Sequence, residues 1–250
     1  MSTWLFDLGN TGLKFACWRN GQLEDLHRVD HDRACFAADW TAQLPSHFDS
    51  AWIASVGPAA LTMELIDALT ARGRLISMVR TQSHFAGVHI AYANPASLGV
   101  DRFLALLAAH ARGTGHWLVV GVGTALTIDL IDADGLHRGG RIAPSPTLMR
   151  ESLHARAPQL PRTGGNNVMF AADTASALAS GCEGAALALV EQSLQAAATL
   201  LGQAPRVLLH GGGAAALAPA LPDATIASSL VLEGLARWSS MLAPTDRSAD

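Results

Sequence analysis

Apolar residues along this chain come in short blocks, each closed by a turn residue. Trp4-Leu5-Phe6 and the run from Leu13 to Trp18 bracket Gly9-Asn10-Thr11-Gly12. That pattern predicts two strands folded over a small polar turn. Asn20-Gly21 is a hairpin signal; it places a third strand over residues 21–26, ahead of a polar segment rich in His and Asp. Ala51 to Val56 predicts a short buried strand. Pro58 suits a helix N-terminus, Leu61, Leu65, Ile66 and Leu69 recur at helical spacing, and Leu75 to Val79 returns to a strand. Asn94-Pro95 breaks the chain. Phe103, Leu104, Leu107 and Ala111 then predict a helix from Val100 to Arg112, closed by Gly113.

The second half restarts in the same manner. Trp117 to Val122 reads as a strand, Gly123-Thr124-Ala125 as a turn, Leu126 to Ile131 as a second strand, Asp134-Gly135 as a tight turn and Leu136 to Ile142 as a third strand. A Pro-containing loop, an amphipathic segment ending near Leu153 and a Gly/Asn loop at residues 164–167 follow. A long Ala/Leu-rich helix is predicted from about Ala175 to Leu201, and a last strand, Arg206 to His210, runs into Gly211-Gly212-Gly213. Two β-β-β-α-β-α units imply two similar α/β domains with a cleft between them, residues 1–113 and 114–250, the last helix being free to pack back on the first domain. The Ala-rich helix reads as core or subunit packing, and its small residues suit close contact in a homodimer.

Half of the 250 residues are apolar, enough for a sizeable core. The net charge is −4, and the seventeen cations are dispersed. No Lys/Arg run offers a footprint for nucleic acid or anionic lipid, so a small-molecule partner is expected. The N-terminus lacks a basic region, and no uninterrupted apolar stretch of about twenty residues is found. Neither secretion nor membrane spanning is indicated, and the expected location is the cytoplasm. Cys17, Cys35 and Cys182 form no C-x-x-C pair and read as ordinary buried thiols. The ten histidines never fall into H-E-x-x-H and read as surface or packing residues.

Candidate chemistry gathers at the two equivalent turns, Asp7-Leu8-Gly9-Asn10-Thr11 and Gly121-Val122-Gly123-Thr124-Ala125. Glycine allows close backbone approach, and several amides at such a turn can point at one phosphate. Lys14, the chain's single lysine, could add a point charge to the same phosphates, and Asp7 could hold a hydrated Mg²⁺. One such turn alone is more often an ordinary hairpin turn; the duplication favours the functional reading. No G-x-x-x-x-G-K-S/T occurs. Gly121-Val122-Gly123 leads into strand alternation rather than a helix, so the P-loop and dinucleotide readings both fail. His210-Gly211-Gly212-Gly213 resembles an esterase oxyanion loop, but no G-x-S-x-G accompanies it. It reads as a strand-to-helix turn, either a simple one or one lying against a flat ligand such as adenine. Tyr92, the single tyrosine, opens Tyr92-Ala93-Asn94-Pro95-Ala96-Ser97-Leu98-Gly99-Val100-Asp101-Arg102. Asp101 is there either as an N-cap or as an ionised functional carboxylate, and Arg102 could bind an anion.

These residues resemble the type III pantothenate kinases, of the acetate kinase, sugar kinase, Hsp70 and actin fold superfamily, over nearly the whole chain. The family's D-x-G-N-S/T-x-x-K is matched from Asp7 to Lys14, and Y-x-N-P-x-x-L-G-x-D-R is matched from Tyr92 to Arg102 at every specified residue. G-T-A-x-T-x-D appears as Gly123 to Asp129, G-G-x-I-x-P as Gly139 to Pro144, and D-T-x-x-A with a later glycine as Asp173-Thr174 to Gly181. The resemblance implies an α/β fold of duplicated ribonuclease H-like, actin-like ATPase domains with an interdomain cleft. It also implies transfer of the ATP γ-phosphate, with Mg²⁺, to the primary hydroxyl of pantothenate, the first step toward coenzyme A. By the same resemblance Asp7, Leu8, Gly9, Asn10, Thr11, Gly12, Leu13, Lys14 and Thr124 contact ATP. Tyr92, Gly99, Val100, Asp101, Arg102 and Thr174 contact pantothenate, and Asp101 accepts the proton.

The resemblance further implies a homodimer whose partner closes the substrate pocket, and a monovalent cation, potassium or ammonium. Many relatives hold that cation on an aspartate where this chain has Gly121, and their frequent Pro-Gly is Pro144-Ser145 here. A kinase of the same superfamily acting on a sugar or an acetate-like acid is the rival enzyme, against which the Tyr92 to Arg102 motif speaks. A non-catalytic accessory protein on the same fold is the rival of another class, against which Lys14 and Asp101 together speak.

Overall fold

The opening apolar blocks form β1 (Thr3–Leu8) and β2 (Gly12–Arg19) in the computed structural model, which describes residues 2–242. Asn20 and Gly21 both have positive φ, 52° and 79°, as a two-residue hairpin turn requires, and lead into β3 (Gln22–Asp30). This strand runs beyond the predicted Leu26. It lies at a sheet edge, where one face needs no apolar residues, and a bulge with Asp25 at φ 52° absorbs the irregular register.

β4 (Phe48–Ser55) pairs parallel with β1, and α1 (Ala59–Thr70) crosses to β5 (Gly73–Met78), parallel with β4. The sheet order is β3-β2-β1-β4-β5. β1 is central, and Leu5, Phe6 and Leu8 have no exposed surface; a strand covered on both faces reads as a continuous apolar run. A two-residue-strand hairpin, β6 (His84–Phe85) and β7 (Val88–His89), precedes α2 (Val100–Ala111).

The second sheet has the same topology. β8 (Trp117–Val122), β9 (Ala125–Ile131) and β10 (His137–Pro144) are antiparallel; α3 (Pro146–Arg156) and α4 (Thr174–Leu201) follow, then β11 (Arg206–His210), the single-turn α5 (Ala214–Leu217) and β12 (Thr225–Ile226). The order is β10-β9-β8-β11-β12. The chain ends, among the described residues, in α6 (Leu230–Leu242).

Two further details of the topology differ from the sequence reading. Arg206 to His210 is not the last strand: β12 pairs parallel with β11 after it, too short and too exposed to leave a hydrophobic pattern. The repeat is therefore five-stranded in each half. The halves also differ between the third and fourth strands, where the second has α3 and α4 and the first has only a 3-10 turn at Trp40–Gln43. There Phe36 and Trp40, stacked 4.1 Å apart, cover the sheet in place of a helix.

Two units result, Gly113–Ser229 and the chain on either side of it, up to Arg112 and from Leu230. In the first unit Phe6, Leu8, Leu13, Phe15 and Ile53 pack with Leu61, Leu65 and Leu69 of α1 on one sheet face. On the other face α6 packs on β1 and β2, and α2 on β4. The α2–α6 contact is close because Gly234 has no side chain: a Cβ there would lie 2.1 Å from the Leu104 carbonyl oxygen. Trp238 stacks on Phe85 at 4.0 Å, and Arg112 pairs with Glu233.

The second unit's core joins Leu118, Val120, Val122, Leu126, Ile128, Val207 and Leu209 to Ala186, Val190 and Ala197 of α4. α4 is capped by Asp173, whose side chain accepts from Ser176 N at 2.9 Å, and stops at Gly202 in left-handed conformation. By length and composition alone α4 could cross a membrane. Its Ala186, Val190 and Ala197 stripe packs against the sheet. Cys17 and Cys182 are buried as expected, but Cys35 is exposed, because the loop carrying it is built from side-chain-to-backbone bonds rather than apolar packing.

Candidate active site

Asp7 and Lys14 are register partners on β1 and β2. Their neighbours Phe6, Leu8, Leu13 and Phe15 all point into the α1-side core. Strand alternation therefore turns Asp7 and Lys14 together onto the opposite face, the one that carries α2 and α6. Gly9-Asn10-Thr11 makes the turn, closed by Gly9 N donating to Gly12 O at 2.9 Å. Gly57 lies against it: a Cβ there would sit 2.8 Å from the Gly9 carbonyl oxygen, while its own N–H donates to Leu8 O at 3.1 Å.

Asp101 is the second residue of α2, and the cap position is Gly99, which makes no side-chain cap bond. The N-cap reading of Asp101 is thus not the one the structure takes. A Cβ at Gly99 would lie 2.5 Å from Asp101 Oδ1 and 3.7 Å from Val56 Cγ1. Glycine there leaves room for the carboxylate to fold back over the helix start, beside the end of β4. Val100 is buried on the helix between them. The segment before α2 is set by Asn94, whose Oδ1 accepts from Ala96 N at 3.1 Å and caps a 3-10 turn at Pro95–Ser97, and by Thr81, whose hydroxyl donates to Leu98 O at 2.8 Å. Arg102 is buried, 6% exposed; its guanidinium donates to Tyr92 Oη at 3.4 Å and lies 5.9 Å from that ring's centre.

The charges of this first-unit cluster interact. Burial of the Asp7 carboxyl raises its pKa from 3.8 to about 7; the negative charge of Asp101 adds to the rise, and Lys14 opposes it only in part. Two carboxylates and one ammonium thus gather on the α2 side, and the charge of Asp101 disfavours ionisation of Asp7 beside it. The donor set suits a hydrated divalent ion, since Asp7 offers a hard oxygen ligand short of positive charge.

Thr124, Thr174 and Gly121 belong to the second unit. Gly123 N donates to Ala125 O at 2.9 Å, closing the turn as Gly9 does in the first unit. Ser145 Oγ donates to Thr124 O at 3.0 Å and accepts from Leu148 N at 3.2 Å, so one hydroxyl caps α3 and tethers the turn. The Pro144-Ser145 sequence thereby acquires a role that Pro-Gly could not fill. Gly121 faces Thr127 on β9 and His210 on β11. The space a side chain at 121 would enter is already taken, by Thr127 Oγ1 at 2.6 Å and His210 Nε2 at 2.8 Å from an ideal Cβ. Gly211 and Gly213 let the strand-to-helix turn lie on the Val122 backbone; Gly213 N donates to Val122 O at 2.9 Å. Thr174 is the first residue of α4, beside the capping Asp173.

The sequence did not point to the contacts of three supporting side chains: His31 was not singled out, and His210 and Ser145 were met only in the His210 to Gly213 turn and the Pro144-Ser145 departure. His31 donates to the Gly9 turn, His210 fills the space at Gly121, and Ser145 holds Thr124. Each acts through a contact distant in sequence, which neither the duplicated turns nor the His210 to Gly213 turn could specify.

The sequence profile of the family described as type III pantothenate kinase matches residues 4–196. Curated relatives described as type III pantothenate kinases include one from Stenotrophomonas maltophilia (strain K279a), 57% identical over 239 residues, covering 96% of this chain and 98% of the relative. Another, from Xanthomonas axonopodis pv. citri (strain 306), is 54% identical with the same coverage. Among solved structures, a protein described as a Baf family transcriptional activator from Campylobacter jejuni superposes with a TM-score of 0.63 at 19% identity, covering 95% of this chain and 98% of that one. A protein described as an N-acetylmannosamine kinase from Listeria monocytogenes gives 0.55 at 13%, covering 95% and 98%, and an archaeal actin homolog, Ta0583, gives 0.51 at 10%, covering 96% and 100%. The fold is that of the actin-like and sugar kinase proteins.

Proposed function

The chain belongs to the type III pantothenate kinase family, and from that premise we propose that it transfers the γ-phosphoryl group of ATP to the primary hydroxyl of pantothenate, giving phosphopantothenate for coenzyme A biosynthesis. The observation that carries the reading is the electrostatic pairing of Asp7 with Asp101, beside Lys14, on one face of the first unit. Phosphoryl transfer through a loose transition state asks mainly for alignment, neutralised charge and a carboxylate to take the alcohol proton late. Asp101 is the proton acceptor. Lys14 and the amides of Gly9 to Thr11 bind phosphate oxygens, with Leu8, Gly12 and Leu13 framing the turn, and Thr124 also contacts ATP. Mg²⁺, held by Asp7, supplies charge neutralisation on the phosphates when bound. Tyr92, Gly99, Val100, Arg102 and Thr174 bind pantothenate, Arg102 through its carboxylate.

A monovalent cation at position 121 has no carboxylate to hold it, and Thr127 and His210 take the room; catalysis in this chain runs without a cation bound there. A second copy of the chain covers the apolar outer surface of α4 and the preceding segment, where Met169 and Phe170 are 88% and 94% exposed. The reaction takes place in the cytoplasm. Incubating the purified protein with ATP, Mg²⁺ and pantothenate and weighing the products tests the reading: phosphopantothenate is expected, and its absence under every salt condition overturns it.

A further inference from the structure

His31 follows directly on β3 and its ring reaches back to the first turn, where Nε2 lies 3.1 Å from the Gly9 carbonyl oxygen. The other ring nitrogen, Nδ1, receives the Arg33 backbone N–H at 3.1 Å. A carbonyl can only accept and a backbone N–H can only donate. Both bonds together therefore fix one form of the ring, neutral and protonated at Nε2. The other tautomer would break both bonds, and the imidazolium would break the one from Arg33.

The loop behind His31 is built to hold it. Asp32 Oδ1 accepts from Ala34 N at 2.9 Å and Cys35 N at 2.8 Å, and Asp32 N donates to Cys35 O at 3.2 Å. Arg33 takes a left-handed φ of 76°, an unusual conformation for a residue with a side chain. His31 bridges to Phe36, whose buried ring meets the imidazole edge-on at 5.7 Å. Gly57 also passes close to the same Gly9 carbonyl, whose oxygen lies 2.8 Å from where a Cβ at 57 would sit.

A trans peptide points its C=O and N–H in opposite directions. Fixing the Gly9 carbonyl toward His31 therefore aims the Asn10 N–H away from it. We propose that His31 is a positioning residue for nucleotide binding: its Nε2–H bond to the Gly9 carbonyl sets the Gly9–Asn10 peptide so that the Asn10 amide meets a phosphate oxygen. This rests on the reading of the Gly9 to Lys14 turn as the ATP phosphate site. The ring touches no reacting atom and acts only through the peptide it holds.

The test compares His31→Phe, which keeps the packing on Phe36 and removes the donor, with His31→Gln, which keeps an amide N–H at a similar reach. Calorimetric titration with MgATP is expected to show affinity about five- to tenfold weaker in the Phe variant and near that of the unsubstituted protein in the Gln variant. The KM for pantothenate stays unchanged in both. Unchanged MgATP affinity in His31→Phe overturns the proposal, as does equal weakening in both variants. Long-range ¹H–¹⁵N spectra of the unsubstituted protein at pH 8 do not depend on any variant folding. They should show the Nε2–H tautomer, and a protonated Nδ1 overturns the proposal. Normal MgATP binding without phosphopantothenate formation would count against the kinase reading and leave the assignment of His31 standing; no MgATP binding at all defeats both.

Discussion

Asp101 sits where its charge opposes ionisation of Asp7, although the two are 94 positions apart, with most of a sheet and the helix α1 between them. Folding thus brings together two acids that repel each other, and it does so at the positions the proposed chemistry uses. The stability cost has a definite pH signature.

In metal-free buffer Asp7 in the folded chain ionises near pH 7, against an ordinary 3.8. Below about pH 4 both folded and unfolded chains hold the proton, and the group has no effect on stability. As pH rises from 4 to 7 the unfolded chain ionises first, so stability falls until the full loss, on the order of 2–4 kcal/mol, is reached above pH 7. Asp7→Asn removes that loss. Its melting temperature should exceed that of the unsubstituted protein at pH 8 and approach it at pH 4; the same difference at both pH values would refute the account.

Asp101→Asn should leave MgATP binding intact or slightly tighter, since one negative charge beside Asp7 is gone. Turnover should fall more than about a hundredfold if the carboxylate takes the alcohol proton. An Asn variant with near-normal kcat would reduce Asp101 to a residue of the helix start.

With Thr127 and His210 filling the space at Gly121, the kinase rate should be the same in potassium, ammonium and choline chloride at equal ionic strength. Assays in the three salts decide this. A rate that collapses in choline would mean that other groups hold a cation.

Ser145→Ala removes both the cap of α3 and the tether to Thr124, and should lower stability by about 1–2 kcal/mol in thermal denaturation. Ser145→Thr, which keeps the hydroxyl, should recover most of it.

Gly234→Ala would put a methyl 2.1 Å from the Leu104 carbonyl oxygen, a backbone atom that cannot swing aside. Helices α2 and α6 would have to separate, at about 1–3 kcal/mol or more. Amide exchange should accelerate along α6 first; uniform acceleration through both units would point to a different cause.

Much of this fold was readable because it is written locally. Asn20-Gly21 and Asp134-Gly135 mark their hairpins, central strands such as Trp117 to Val122 are unbroken apolar runs, and the Ala/Leu-rich run from Ala175 to Leu201 marks α4. The grouping of Asp7, Asn10, Thr11 and Lys14 was visible as spacing on a hairpin. What escaped depends on distant partners. Nothing near His31 in sequence points to Gly9, nothing near Gly234 points to Leu104, and β12 is two residues long. Cys35 looked like any small apolar residue until its loop was seen to be held by Asp32. The first half lacks the two helices that the second half has between its third and fourth strands, and only the packed Phe36 and Trp40 explain how the sheet stays covered.

The return of α6 to the first unit has a consequence for how the protein is made. A ribosome delivers the chain from its N-terminus, so the whole of Gly113–Ser229 is synthesised while the first unit still waits for the helix that closes it. Until Leu230 to Leu242 emerges, the α2 face bearing Leu104 and Phe103 has no partner from α6, and Asp7 and Lys14 stand on a sheet face still missing one of its two helices. The nucleotide turn, among the first residues translated, is therefore among the last to gain its finished surroundings, and a nascent chain stalled before residue 230 would carry the motif without the site.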